Sequence, residues 1–286
     1  MSLARIAVLA LIQGMAELLP ISSSAHVIAA ERLMGLDPSS PRMTFLLVML
    51  HTGTTVAVIV YFWRRWSARA AEASPRQRKA LAGALLAATA ATGVVGLLLK
   101  HVIETVYLKG TGARDIEAIF SNLPLMAASL AAAGALIIWA GLRGEGGRSA
   151  DLGLRQSVSI GLVQGLCLPF RGFSRSGATI SSGMLLGVPR ALSEDFSFAL
   201  SVLLTPPVIA REAWRLSRVS GVSAAWESGA FKPGLLGMFL SFLAGLAALR
   251  WLSNWLESGR WRYFGYYCLL ASAGVLALSA FLRRPV

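Results

Sequence analysis

Six stretches of this chain, 44–63, 81–99, 123–141, 196–210, 234–249 and 264–282, are apolar almost without interruption. Each is long enough, or nearly so, to cross ~30 Å of hydrocarbon as a helix; the fourth is short and extends toward Trp214. In lipid only helices and closed barrels satisfy their own backbone groups. Runs of this length without alternation of polar and apolar residues predict helices, so the fold class is an all-α polytopic membrane protein. Composition agrees: 55% of residues are hydrophobic and 14% charged, against about 25% charged in soluble domains. One soluble core could not keep so much apolar surface from water.

The net charge of +13 does not point to nucleic acid. Lys and Arg lie mostly between the apolar runs, where they anchor helix ends and set orientation, and they suit anionic and phosphate-bearing lipids. The densest basic stretch, 64–79, is expected to be a cytoplasmic loop together with 142–155 and 250–262, leaving both termini, 100–119 and 211–232 outside. Cys167 and Cys268 each sit in an apolar segment without a CxxC partner and read as small hydrophobes. Gln13 and Glu17 interrupt the first apolar stretch, and no small-residue cleavage pattern follows, so it is expected to remain in the membrane.

The chain also repeats itself. At one constant offset Gln13-Gly14 recurs as Gln164-Gly165, Ser23 as Ser174 and Phe45 as Phe196. Each half (1–143 and 152–286) runs through a polar-interrupted segment, 3–34 or 154–188, and then three apolar runs. If the interrupted segments do not cross, three crossings per half place the second half upside down. That predicts an inverted-topology repeat in one membrane domain, with six transmembrane helices and two re-entrant helix hairpins.

The charges at membrane depth lie in those two segments, where ionisable groups are costly and mark function. The first contains Gln13, Glu17, Pro20, Ser22, Ser23, Ser24 and His26. Gln13 and Glu17 share a helix face, Pro20 ends that helix, and a serine run suits the start of the next. His26 is close enough in sequence to take a proton from Ser23. The second contains Arg171, Gly172, Ser174, Arg175, Ser176, Gly177 and Thr179 before an apolar helix. A helix N-terminus, a forked cation and a close-approaching backbone form an anion cradle. The plainer alternatives are serines that only cap helices and an arginine that snorkels to the interface. Elsewhere, His51 reads as a helix-packing residue that could line the cavity. His101 and Glu104 read as solvated loop residues, Glu194-Asp195 as the cap of a span, and 251–267 as an interfacial aromatic belt.

On these residues the chain resembles the undecaprenyl-pyrophosphate phosphatase family, also known for bacitracin resistance. The family's first motif matches Gln13, Glu17 and Pro20-Ile-Ser22-Ser23-Ser24-Ala-His26; its second matches Gly172-Phe-Ser174-Arg175-Ser176-Gly-Ala-Thr179, with Arg171 standing where the family has proline. The resemblance spans the whole chain. It implies hydrolysis of the terminal phosphate of undecaprenyl pyrophosphate at a site facing the periplasm of the bacterial inner membrane. It also implies help from a divalent cation, Mg²⁺ or Ca²⁺, with Glu17 and Gln13 as candidate ligands, and a lipid pyrophosphate as partner; a homodimer is the assembly it allows.

The expected mechanism has Ser23 attack the terminal phosphorus, with His26 as base and then acid. Glu17 orients His26 or holds the metal, and Arg175 stabilises the phosphoryl oxygens. Ser22, Ser24, Ser174, Ser176, Gly177 and Thr179 bind phosphate. Ser22 or His26 remains an alternative nucleophile. A lipid-phosphate transporter or flippase would use the same cradle without needing a nucleophile.

Overall fold

The computed structural model describes residues 2–36, 40–109, 116–120, 122–143, 152–227 and 231–282. Among them it is helical throughout: α1 (Leu3–Leu18), α2 (Ser23–Leu33), α3 (Pro41–Glu72), α4 (Pro75–Val102), α5 (Leu123–Leu142), α6 (Leu154–Cys167), α7 (Arg175–Leu185), α8 (Arg190–Glu227), α9 (Phe231–Glu257) and α10 (Arg262–Leu282). Six of these, α3, α4, α5, α8, α9 and α10, are long and apolar enough to cross a membrane, and each contains one of the six apolar runs.

The helix starts follow from local chemistry. Ser2, Ser40, Ser74, Asn122 and Ser174 each accept a backbone N–H of the first turn, satisfying donors that have no partner within the helix. Pro41, Pro75 and Pro124 stand in the first turn of α3, α4 and α5, where a missing N–H costs nothing. At Ser74 the cap is reciprocal, with the Gln77 side chain bonded back to the cap backbone, the arrangement of a capping box.

Three expected loops prove to be largely helix. The basic stretch 64–79 is the end of α3 and the start of α4, joined through Ala73 and Ser74, because no glycine or proline interrupts 64–72. His101 lies in α4, and Glu104 belongs to a π turn, Ile103–Tyr107, that prolongs it. Glu104 is 3.8 Å from Lys100 and accepts the N–H of Ile116. The region 211–232 is helical as far as Glu227. Residues 144–151 of the expected 142–155 loop, and 228–230, lie outside the described residues.

Helices of the two halves interleave. Ile6, Gly14 and Leu18 of α1 meet Gly237, Ala244 and Gly245 of α9. A Cβ added at Gly14 would stand 2.6 Å from that of Ala244, so only glycine allows this approach. On the other side Gly161 and Gly165 of α6 lie against Ala88 and Thr92 of α4. Phe45, Gly53 and Ala57 of α3 meet Gly234, Met238 and Gly245 of α9. Ala127, Gly134 and Gly141 of α5 meet Ser272, Cys268 and Arg262 of α10. The main core lies between the halves, with Leu18, Phe62, Met126, Ile137, Ile180, Phe198, Leu252 and Cys268 in one cluster.

Glu194 and Asp195 do not cap a span. α8 starts at Arg190, a turn earlier, so the two carboxylates point from its side and are buried. Arg65 is 3.4 Å from Glu194 and 2.9 Å from Asp195, and Arg69 also pairs with Asp195. Ser253 of α9 donates to Glu194 at 2.6 Å and accepts from Tyr61. Buried charges persist only when paired in this way. Of the aromatic belt, Trp251, Tyr263, Tyr266 and Tyr267 are exposed, whereas Trp261 is fully buried and donates to Ser181 at 3.0 Å.

Candidate active site

The first motif straddles the break between α1 and α2. Gln13 and Glu17, one turn apart on α1, are joined by a bond from Gln13 Nε2 to Glu17 Oε2 at 3.1 Å. α1 ends at Leu18, and Pro20 lies in the turn that follows. Ser22 then takes a left-handed backbone, φ 67, a conformation that strains a non-glycine residue and marks a constrained site. This turn brings Ser23, the first residue of α2, back over α1: Ser23 Oγ donates to Glu17 Oε2 at 2.5 Å.

The second motif closes on the same carboxylate. Arg175 opens α7, with Ser174 as N-cap. Its guanidinium reaches Glu17 Oε1 at 3.4 Å. Arg175 Nη1 is buried and has no acceptor among the described residues. A fourth group comes from α3: His51 Nε2 lies 3.7 Å from Glu17 Oε2, with Nδ1 on the Leu47 carbonyl at 2.8 Å. Burial alone would raise the Glu17 carboxyl. Electrostatic attraction from His51 and Arg175 and the bonds from Ser23 and Gln13 outweigh it, leaving Glu17 below the ordinary carboxylate value. It is ionised at neutral pH.

The remaining motif residues bond within the protein. Ser174 Oγ accepts the Gly177 N–H at 3.3 Å, and Ser176 Oγ donates to the Leu19 carbonyl at 3.3 Å. Thr179 donates to the Arg175 carbonyl and shares a 2.5 Å bond with Ser197. Gly177 is pressed against Ile137 and Pro20. Ser22 and Ser24 share a bond at 3.3 Å, and Ser24 accepts the Gly172 N–H at 3.3 Å, tying the tips of the two segments together. These hydroxyls build the frame, and Glu17, Ser23, His51 and Arg175 form the cluster within it.

No bond joins His26 to Ser23 among the described residues. His26 Nδ1 lies 2.8 Å from the Ser22 carbonyl, and Nε2 lies 2.7 Å from the hydroxyl of Tyr267 on α10. Tyr267 had no local signal beyond its place in an aromatic belt. His51 did have one, an imidazole inside an apolar run.

Arg171 projects outward, 4.4 Å from the Phe120 ring centre, and its charge acts on Glu31 of α2. Glu31 is 1% exposed, with Oε1 lacking a hydrogen-bond partner among the described residues. Burial pushes its carboxyl up to about 7, with Arg171 and then Arg32 opposing the rise.

The family model described as "Bacitracin resistance protein BacA" matches residues 6–274. An "Undecaprenyl-diphosphatase 2" of Acinetobacter baylyi is 54% identical over 98% of this chain and 99% of its own length. An "Undecaprenyl-diphosphatase 1" of Burkholderia pseudomallei is 34% identical, and an "Undecaprenyl-diphosphatase 2" of Burkholderia orbicola 32%. Both alignments cover this whole chain and at least 99% of the relative. With its two motifs meeting at one carboxylate and these similarities running end to end, the chain belongs to the BacA bacitracin-resistance protein family.

Proposed function

We propose that this protein hydrolyses undecaprenyl pyrophosphate to undecaprenyl phosphate and inorganic phosphate, returning the lipid carrier to cell-wall synthesis. The observation that carries the proposal is the Ser23–Glu17 bond at 2.5 Å with Arg175 on the other carboxylate oxygen. A nucleophile, a base and a fixed cation share one point, an arrangement a transporter would not need.

In the first step Ser23 Oγ bonds to the terminal phosphorus. The bond from that phosphorus to the bridging oxygen breaks, and undecaprenyl phosphate leaves with the electron pair. The hydroxyl proton passes to Glu17 Oε2. Arg175, whose Nη1 has no acceptor among the described residues, and the first-turn N–H groups of α7 steady the charge spread over the phosphoryl oxygens. In the second step water bonds to the phosphorus and gives its proton to His26 as the Ser23 Oγ–P bond breaks; Glu17 Oε2 returns its proton to Ser23 Oγ, and phosphate is released. Ser23 stays the nucleophile of the sequence-based mechanism, but the proton it loses goes to Glu17, and His26 serves the water step.

For a divalent cation, the available protein oxygens are Glu17 and the amide oxygen of Gln13. Mg²⁺ commonly takes one or two carboxylates and fills its shell with substrate phosphates and water, so this sparse set fits a cation that arrives with the pyrophosphate. Among the described residues no three His, Cys, Asp or Glu side chains gather into a metal cluster. When bound, the ion would screen the pyrophosphate's negative charge.

We further propose the inverted repeat with re-entrant hairpins, in the bacterial inner membrane with the site facing the periplasm. Helix directions support it. The counterparts α3 and α8 run antiparallel, Arg65 meeting Ala191 and Asp195 while Phe62 stacks on Phe198. The counterparts α5 and α10 also run antiparallel, from Ala127 on Ser272 to Gly141 on Arg262. Both α1 and α3 run parallel to α9, so the chain sets out twice in one direction, as it must if α2 returns to the starting side.

The test is phosphate release from undecaprenyl pyrophosphate by detergent-purified protein, with Mg²⁺, with Ca²⁺ and with EDTA, beside Glu17→Ala. Release lost in the variant supports the proposal. No release by folded protein under any condition refutes it.

A further inference from the structure

The His26–Tyr267 contact joins residues 241 positions apart, and Tyr267 belongs to neither sequence motif. Its chemistry fixes the direction of each bond. The Ser22 carbonyl can only accept, so His26 Nδ1, 2.8 Å away, carries the proton. Ser22 holds its carbonyl there through the left-handed backbone noted above, and the same carbonyl accepts the His26 backbone N–H at 3.5 Å. In the neutral imidazole Nε2 is then a lone pair, and the Tyr267 hydroxyl, 2.7 Å away, donates to it. The two rings lie 5.6 Å apart and within 12° of parallel, so the ring plane is held as well as the tautomer.

We infer that Tyr267 is a positioning residue for this reaction: it holds His26 as the Nδ1–H tautomer with the basic Nε2 fixed at the edge of the site. The inference rests on the phosphatase reading above and deepens it. Burial lowers the imidazole below its ordinary value, with the bond to Ser22 opposing, so the neutral form prevails at pH 7. A neutral imidazole with an oriented lone pair is the form that takes a proton from an attacking water. Tyr267 is 43% exposed, so its hydroxyl can exchange Nε2 with that water without disturbing the core. α10 thereby supplies a catalytic support from the far end of the chain.

The experiment is nitrogen NMR of protein labelled at histidine. The chain has 3 His, and His51→Gln and His101→Gln assign the signals. The expected His26 pattern is protonated Nδ1 and hydrogen-bonded, unprotonated Nε2. Tyr267→Phe, which keeps the ring, should move Nε2 toward a free imine. It should also lower kcat ~10-fold or more, as loss of an imidazole's orienting partner does elsewhere, with KM within about twofold. An Nε2–H tautomer in the parent, an unmoved Nε2 signal in Tyr267→Phe, or full turnover in that variant overturns the inference. Absent phosphate release in the parent instead refutes the phosphatase reading, and the Nε2 signal still decides whether Tyr267 holds His26.

Discussion

Ser23 Oγ and Glu17 Oε2 stand 2.5 Å apart across the break between α1 and α2, while Arg175 from the second half sits on the other oxygen of the same carboxylate. In the proposed mechanism nucleophile, proton acceptor and cation are thus assembled before any substrate arrives. Such preorganisation is where most electrostatic catalysis resides.

Ser23→Ala removes the attacking oxygen and leaves the cradle. Turnover should fall at least ~10³-fold with KM little changed, and no phosphoserine should form in a rapid quench. Retained turnover would exclude Ser23 as nucleophile.

Arg175→Lys keeps the charge but loses the planar fork that meets Glu17 and the substrate together. Activity should fall ~10²-fold, close to Arg175→Ala, in steady-state phosphate release. A lysine variant near parental activity would reduce Arg175 to a point charge.

Glu31 is raised to about 7 against an ordinary 4.5. For a carboxyl raised by folding, the stability linked to its proton is fully present below pH 4.5 and is lost as pH rises through about 7. Glu31→Gln should flatten that loss in thermal unfolding across the window. Arg171→Pro removes the cation opposing the shift, so it should lower Tm more at pH 8 than at pH 5, and adding Glu31→Gln should restore Tm.

Arg65 offsets two buried carboxylates, Glu194 and Asp195. Arg65→Ala leaves them short of positive charge and should cost about 3–5 kcal/mol of stability. Per folded molecule, KM for undecaprenyl pyrophosphate should not move. A changed KM with unchanged stability would assign Arg65 to substrate binding.

The six long helices, the break at Pro20, the serine that starts α2 and the two charged segments could all be read along the chain, because hydropathy, capping and proline act within a few residues. Bonding partners could not. His26 is three residues from Ser23, yet it turns to the Ser22 carbonyl and to Tyr267, and the Ser23 proton faces Glu17 instead. Helical spacing limits which side chains can meet, but a left-handed residue at Ser22 redirects them, and no local pattern announces it. Likewise His51 enters the cluster because α3 is packed beside α1, and Glu194 and Asp195 meet Arg65 and Arg69 because α8 lies along α3. Local forces therefore determine the helices and the residues able to do chemistry, whereas the choice of partners belongs to tertiary packing. Glu17, Glu194 and Asp195 each find a cation on a helix more than a hundred residues away, and only the assembled bundle sets those distances.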